Sequence, residues 1–159
     1  MYLVDSDVLI AAKNSYYAFD VVPAFWEWLA RAHTAGKVFV VEKVAKEILA
    51  GADELAWMGQ QPASFRLAHG AADAPSMTKV AQWAHGAGDA QGAAATFLGA
   101  GDFFLVSQAL TLNHTVVTNE KPEPASKKKI KIPDACNVIG VRWMNSFQML
   151  KQEKARFVL

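Results

Sequence analysis

Apolar residues recur along this chain at two spacings, and the changes between them mark out the elements. The chain opens with Tyr2-Leu3-Val4, then Asp5-Ser6-Asp7, then Val8-Leu9-Ile10. A short continuous apolar run reads as a buried strand, central in a parallel sheet, and here it is interrupted by acids. Ala11 to Asp20 reads as loop or short helix, with Asn14-Ser15-Tyr16-Tyr17 exposed beside the strand end. Val22, Phe25, Trp26, Leu29 and Ala32 then recur at i, i+3, i+4 and i+7. That period predicts a helix with Pro23 in its first turn, Asp20 as a cap and Gly36 as its stop. Its aromatics read as core. Lys37 to Val41 is a second short strand. Lys43 to Ala50 predicts a helix ended by Gly51, with Val44, Glu47 and Ile48 on one face. Glu47 thus falls on a stripe that should be buried, whereas Glu42 and Lys46 make a solvated i, i+4 pair.

Between Asp53 and His85 the pattern weakens. Glu54 to Met58 reads as helical, Ala63 to Leu67 as a short edge strand and Pro75 to Ala84 as helical again. Gly86-Ala87-Gly88 marks a loop, and Ala90 to Leu98 predicts an Ala-rich, closely packed helix. Phe103 to Leu112 is firmly helical, with Asp102, Leu105, Val106 and Ala109 on one face. His114 to Thr118 is a third buried strand, followed directly by Asn119-Glu120. Lys121 to Lys131 reads as a loop, and Pro133-Asp134 starts a helix through Val138 that Gly140 breaks. Val141-Arg142-Trp143 adds an edge strand, and Asn145 to Lys154 a final helix. No repeat occurs at a fixed period. Strands alternating with helices predict an α/β fold: three layers, α/β/α, about a central, mostly parallel sheet, in a single domain over residues 1–159.

Composition narrows the class. A chain of 159 residues, 52% apolar and with five tryptophans, buries a real core and is not disordered. A formal charge of +1 gives no lead on partners; the distribution of charge must supply that. The one cysteine, Cys136, excludes an internal disulfide framework, suits a reducing cytoplasm and reads as a small core residue. Acids interrupt the N-terminal apolar run too early for a secretory signal, and no stretch approaches the ~18 apolar residues of a membrane span. The expectation is a soluble cytoplasmic domain with no membrane partner. The four histidines, at 33, 69, 85 and 114, share no metal-ligand spacing.

The candidate chemistry lies in acids that keep apolar company. Ligands of open α/β sheets sit outside the carboxyl ends of the strands, where Asp5 and Asp7 fall. Burying carboxylates is costly unless they are hydrogen-bonded, paired or bound to a metal. Read alone, Asp5 also suits a turn or a cap, and Asp102 equally suits an N-cap. Thr118 divides between a hydrogen bond to a carboxylate or phosphate and an ordinary β-branched strand position. Asp134, after Pro133, reads first as a helix cap and second as a further acid of the site.

Four motifs, in order, resemble those of a PIN domain, the nuclease fold of the VapC-type toxins. They are Tyr2-Leu3-Val4-Asp5-Ser6-Asp7-Val8-Leu9-Ile10, Val44-Ala45-Lys46-Glu47-Ile48, Gly101-Asp102-Phe103-Phe104-Leu105-Val106 and Val116-Val117-Thr118-Asn119-Glu120. The loop ending Lys131-Ile132-Pro133-Asp134-Ala135-Cys136 is similar to that of a PIN-like toxin family, so the resemblance spans nearly the whole chain. The fourth acid of the motif is usually aspartate; here it is Glu120. The resemblance implies a metal-dependent endoribonuclease, the toxin of a type II toxin–antitoxin system. It implies Asp5, Glu47, Asp102 and Glu120 as catalytic metal ligands or water-orienting groups, with Asp7 orienting ligands or capping the next helix. An RNA substrate, a cognate antitoxin protein and a homodimer follow from the same likeness.

The physical chemistry of such a set is consistent with it. Two carboxylates ~4 Å apart repel by roughly 4 kcal/mol at an effective dielectric of about 20. A cluster of them persists only by taking up protons or binding cations. Oxygen-only ligands select Mg²⁺ or Mn²⁺ over zinc, and these ions activate water and steady a departing oxygen. Lys127, Lys128, Lys129 and Lys131 read either as a solvated loop or as contacts to RNA phosphates. Two rival readings stand. Asp5-Ser6-Asp7 after an apolar strand also resembles a haloacid-dehalogenase-like phosphatase, with Asp5 as nucleophile and Asp7 as general acid, although Asp102 follows an Ala/Gly-rich helix and not a strand. The other is a non-catalytic PIN-fold RNA-binding module, hinted at only by the glutamate at position 120.

Overall fold

Strand β1 (Tyr2–Val4) lies at the middle of a five-stranded, all-parallel sheet in the computed structural model, which describes residues 1–51, 55–87 and 92–158. The sheet order is β3-β2-β1-β4-β5, with β2 at Val38–Val41, β3 at Arg66–Leu67, β4 at Thr115–Val117 and β5 at Trp143–Met144. Leu3 stands in register with Phe39 of β2 and Val116 of β4. Every residue of β1 and β4 is buried, as expected for parallel strands covered by helices on both faces. The predicted α/β architecture with a central parallel sheet is therefore present, and its carboxyl edge is where the chain leaves β1 and β4.

The first apolar run is not one strand. β1 ends at Val4, and Val8 and Leu9 are buried on helix α1 (Ser6–Ala11). A continuous apolar run cannot tell buried strand from buried helix; Asp5 decides it, because its side chain accepts the Ser6 N–H and starts the helix. One turn of π-helix, Ala12–Tyr16, follows. Helix α2 (Pro23–Thr34) begins after Val22 without a side-chain cap, so Asp20 does not serve as one. Helix α3 (Glu42–Ala50) carries the expected Glu42–Lys46 pair at 3.1 Å.

Helix α4 (Ala56–Gln60) matches the expected helical stretch, whose start at Glu54 lies outside the described residues. Helix α5 (Ala74–Ala87) runs through Gly86 and Ala87, which were expected to be loop; Gly88 and the helix start expected at Ala90 lie outside the described residues. Helices α6 (Ala93–Gly99), α7 (Gly101–Leu112), α8 (Ile132–Ile139) and α9 (Ser146–Gln152) complete the chain. The last strand starts two residues later than its apolar pattern suggests. The Val141 N–H is spent on the Cys136 carbonyl as α8 closes through Gly140 at φ +88°. Cys136 is fully buried, and burial pushes its thiol up to about 12, leaving it a core residue without thiolate character. Among the described residues no single helix is long and apolar enough to cross a membrane.

Candidate functional site

The site grows from the last rung of the central strands. The Asp5 N–H donates to the Val117 carbonyl at 2.9 Å, so β1 and β4 hold Asp5 to the sheet's carboxyl edge. The residue is 3% exposed. Oδ1 accepts from the Ser6 N–H at 2.7 Å, and Oδ2 accepts from the Thr118 hydroxyl at 2.9 Å. Asp5 is thus both helix cap and buried acid, two roles that its sequence context presented as alternatives. Thr118 is fully buried, and its hydroxyl oxygen also accepts from the Glu120 N–H at 3.2 Å. Asp7, in the first turn of α1, accepts from the Asn119 N–H at 3.0 Å. Asn119 Oδ1 in turn accepts from the Ser146 N–H and hydroxyl at the start of α9. These bonds connect the chain ends of β1, β4 and β5.

Asp102 and Glu47 come from two helices that meet closely. α7 begins at Gly101 with no side-chain cap, so Asp102 is a first-turn residue and not the N-cap. Glu47 Oε1 instead accepts the Gly101 N–H at 2.9 Å, reaching across from α3. A β-carbon on Gly101 would lie 2.7 Å from Glu47 Oε2 and 2.8 Å from Val44 Cγ2, so only glycine permits this approach. Glu47 itself is exposed, contrary to its expected place in a buried stripe. α3 buries Val44, Ala45 and Ile48, and Glu47 falls at the margin of that face.

The acids act on one another. Burial, then Asp7 and Asp102, drive the Asp5 carboxyl well above the usual aspartate range. Burial also raises Asp7, partly offset by its hydrogen bonds. Asp102 is pushed up to about 6 by burial and by Glu120, with Glu47 adding and Lys129 opposing. Asp5, Asp7, Glu47, Asp102 and Glu120 therefore share one electrostatic neighbourhood.

Glu120 is engaged through both carboxylate oxygens. Its Oε1 accepts from Lys129 Nζ at 2.9 Å and its Oε2 from the Ile132 N–H, the first of α8, at 2.8 Å. The hydrogen bond to Glu120 raises the Lys129 ammonium, and Asp102 and Asp5 add to the effect. Asp134 is not a helix cap. It accepts the Glu123 N–H at 2.8 Å and so pins the lysine-bearing loop instead of joining the other acids. The reason is positional: Lys131 occupies the cap, which leaves Asp134 in the first turn facing the loop. Lys128 and Lys129 line a small cleft with Phe97, Ala100 and Asp102.

Three contributors were not visible in the sequence. Lys129 was one lysine of a run, and only the loop's fold brings it to Glu120. Asn119 was noted only as following β4, yet it joins Asp7 to α9. Gly101 gave no sign of how closely α3 approaches. His33, assigned no role, is buried between the Val38 carbonyl and the Ser64 hydroxyl at 3.0 Å each.

Donor chemistry decides what this neighbourhood suits. Its acids offer oxygen alone, crowd one another enough to raise Asp5 and Asp102, and face Lys129. In donor type alone, carboxylate oxygens suit a hard divalent cation better than zinc. Among the described residues, no three His, Cys, Asp or Glu side chains are placed so that they could hold one metal ion together. Asp5 and Glu120 each accept hydrogen bonds through both oxygens, and Glu120 alone among these acids is paired with a lysine of the loop.

No curated protein and no solved structure matches the chain. Residues 2–157 match a family described as a domain of unknown function, DUF4411, and the chain belongs to that family.

Proposed function

We propose that this protein is a metal-dependent endoribonuclease with a PIN-like site, acting as the toxin of a toxin–antitoxin pair. One observation carries the reading: Asp5, 3% exposed at the carboxyl end of the central parallel strand, is pressed by Asp7 and Asp102. Burying like charges together is costly, and a function that uses a cation is a physical reason to retain them. Asp5, Glu47 and Asp102 are the residues to hold Mg²⁺ or Mn²⁺, and Glu120 joins them only by releasing Lys129. A bound ion supplies an activated water and neutralises charge on the departing oxygen. Thr118 fixes the orientation of Asp5, and Asp7 ties the site to Asn119. Lys127, Lys128 and Lys129 lie on the adjoining loop, suited to neutralising RNA phosphates. Asp134 supports that loop through Glu123. The toxin role, an antitoxin partner, a homodimer and a cytoplasmic setting rest on the motif resemblance.

The test is cleavage of structured and unstructured RNA with Mg²⁺, Mn²⁺ or chelator, using wild type and Asp5→Asn. Cleavage that requires the ion and disappears in Asp5→Asn supports the proposal; cleavage surviving both treatments overturns it. Expression without a partner should arrest growth, and unhindered growth with abundant soluble protein would remove the toxin role. Light scattering reads the dimer.

A further inference from the structure

Two exposed aromatic rings meet at the first turn of α9, the helix that follows the carboxyl end of β5. Tyr16 is 53% exposed and Phe147 45% exposed, and their rings meet edge to face at 5.3 Å. Their neighbours take the opposite course. Tyr17 stacks on Phe25 at 4.4 Å and joins the core, while the π-turn over Ala12–Tyr16 leaves Tyr16 facing outward. Single π-turns inside helical segments are rare and often accompany functional positions. Phe147 is chain-adjacent to Ser146, which bonds Asn119, which bonds Asp7. The aromatic pair therefore stands at the start of α9, one residue along the chain from the Ser146–Asn119–Asp7 hydrogen bonds, and Lys129 meets the acids from the loop through Glu120.

A ligand served by a flat π surface, by cations and by a hard-ion site carries bases, phosphates and a scissile phosphodiester. Its bases must be unpaired, because a duplex stacks its bases inside and presents backbone. Resting on the ribonuclease reading above, we infer that Tyr16 and Phe147 form a stacking step for an unpaired base of the RNA strand, with Lys127 and Lys128 facing its phosphates.

The experiment is fluorescence anisotropy in chelator, with a short unpaired RNA and a hairpin duplex, for wild type, Tyr16→Leu/Phe147→Leu and Tyr16→Phe. Leucine keeps apolar volume but has no π face, so the double variant separates stacking from general apolar contact. The double variant should bind unpaired RNA about tenfold or more weakly, bind duplex as wild type does, and melt normally; Tyr16→Phe should bind as wild type. Unchanged affinity for unpaired RNA in the double variant overturns the inference while leaving Mn²⁺-dependent cleavage standing. Loss of a dimer in the double variant with RNA affinity intact also overturns it, and makes the patch a contact between two copies. Ring-dependent binding without any cleavage supports the stacking step and removes the nuclease. Absence of unpaired-RNA binding by wild type overturns the stacking step, and the Mn²⁺ cleavage assay decides the nuclease separately.

Discussion

Lys129 Nζ lies 2.9 Å from Glu120 Oε1, closing the lysine loop onto the acid two residues beyond the buried Thr118. The lysine side chain is 53% exposed and that of Glu120 15%. An ion pair open at its lysine end contributes on the order of 1 kcal/mol, and on the nuclease proposal a divalent cation or an RNA phosphate would displace it. The ammonium offsets part of the repulsion among Asp5, Asp102 and Glu120. It does so as a cation that belongs to the chain.

Lys129→Gln should therefore bind Mn²⁺ more tightly than wild type, by about tenfold, in isothermal titration. Its affinity for RNA should fall modestly. Mn²⁺ binding that weakens or stays unchanged would show that Lys129 does not compete with the ion.

Asp102 makes stability depend on pH in an unusual direction. Its carboxyl sits at about 6 in the folded chain, above an unfolded value near ~3.9. Between those values the folded chain holds a proton that the unfolded chain has released, so stability falls as pH rises. At about 1.4 kcal/mol per unit, the loss amounts to ~3 kcal/mol for a group this deeply placed. Asp5, raised in the same direction by burial and by Asp7 and Asp102, adds to the loss. Asp102→Asn should thus gain stability over wild type at about pH 7.5 and lose most of that gain at about pH 4.5. Urea denaturation at both values reads it, and equal differences at the two would refute it. Added Mn²⁺ should shrink the gain at the higher pH.

Thr118→Val removes the donor to Asp5 Oδ2 and the acceptor for the Glu120 N–H together. Leaving buried polar groups without partners costs about 1–3 kcal/mol, and the Asp5 carboxyl should rise further. Thr118→Ser should restore most of both. A valine variant with an unchanged urea midpoint would show that the hydroxyl does not hold Asp5.

Gly101→Ala sets a β-carbon against Glu47 Oε2, Val44 Cγ2 and, at 3.3 Å, the Val44 backbone. Overpacking of this kind costs about 1–3 kcal/mol. Adding Glu47→Ala should recover only part of that, because the Val44 contacts remain; a double-mutant cycle measures it. Full recovery would place the strain on Glu47 alone.

The order of elements was legible from periodicity. Alternating apolar runs and helical stripes implied the parallel sheet, and the acids were noticed because each interrupts or borders an apolar stretch. Finer choices were not local. Val8 and Leu9 looked like strand until the Asp5 cap bent them into α1, and Val141 looked like strand until closure of α8 took its N–H. Glu47 shares a helical face with Val44 and Ile48, yet it stays exposed, because burial depends on where α7 crosses α3.

What the sequence determined alone was which residues carry charge into apolar surroundings, since patterning and charge are properties of the chain itself. Tertiary structure decided their company. Only the packed loop brings Lys129 to Glu120 and turns Asp134 toward Glu123, and only the meeting of α1 with α9 sets Asn119 between Asp7 and Ser146. Those contacts join residues distant in the chain or set at a bend in it, and their formation depends on the closing of the whole sheet edge, which no local pattern encodes.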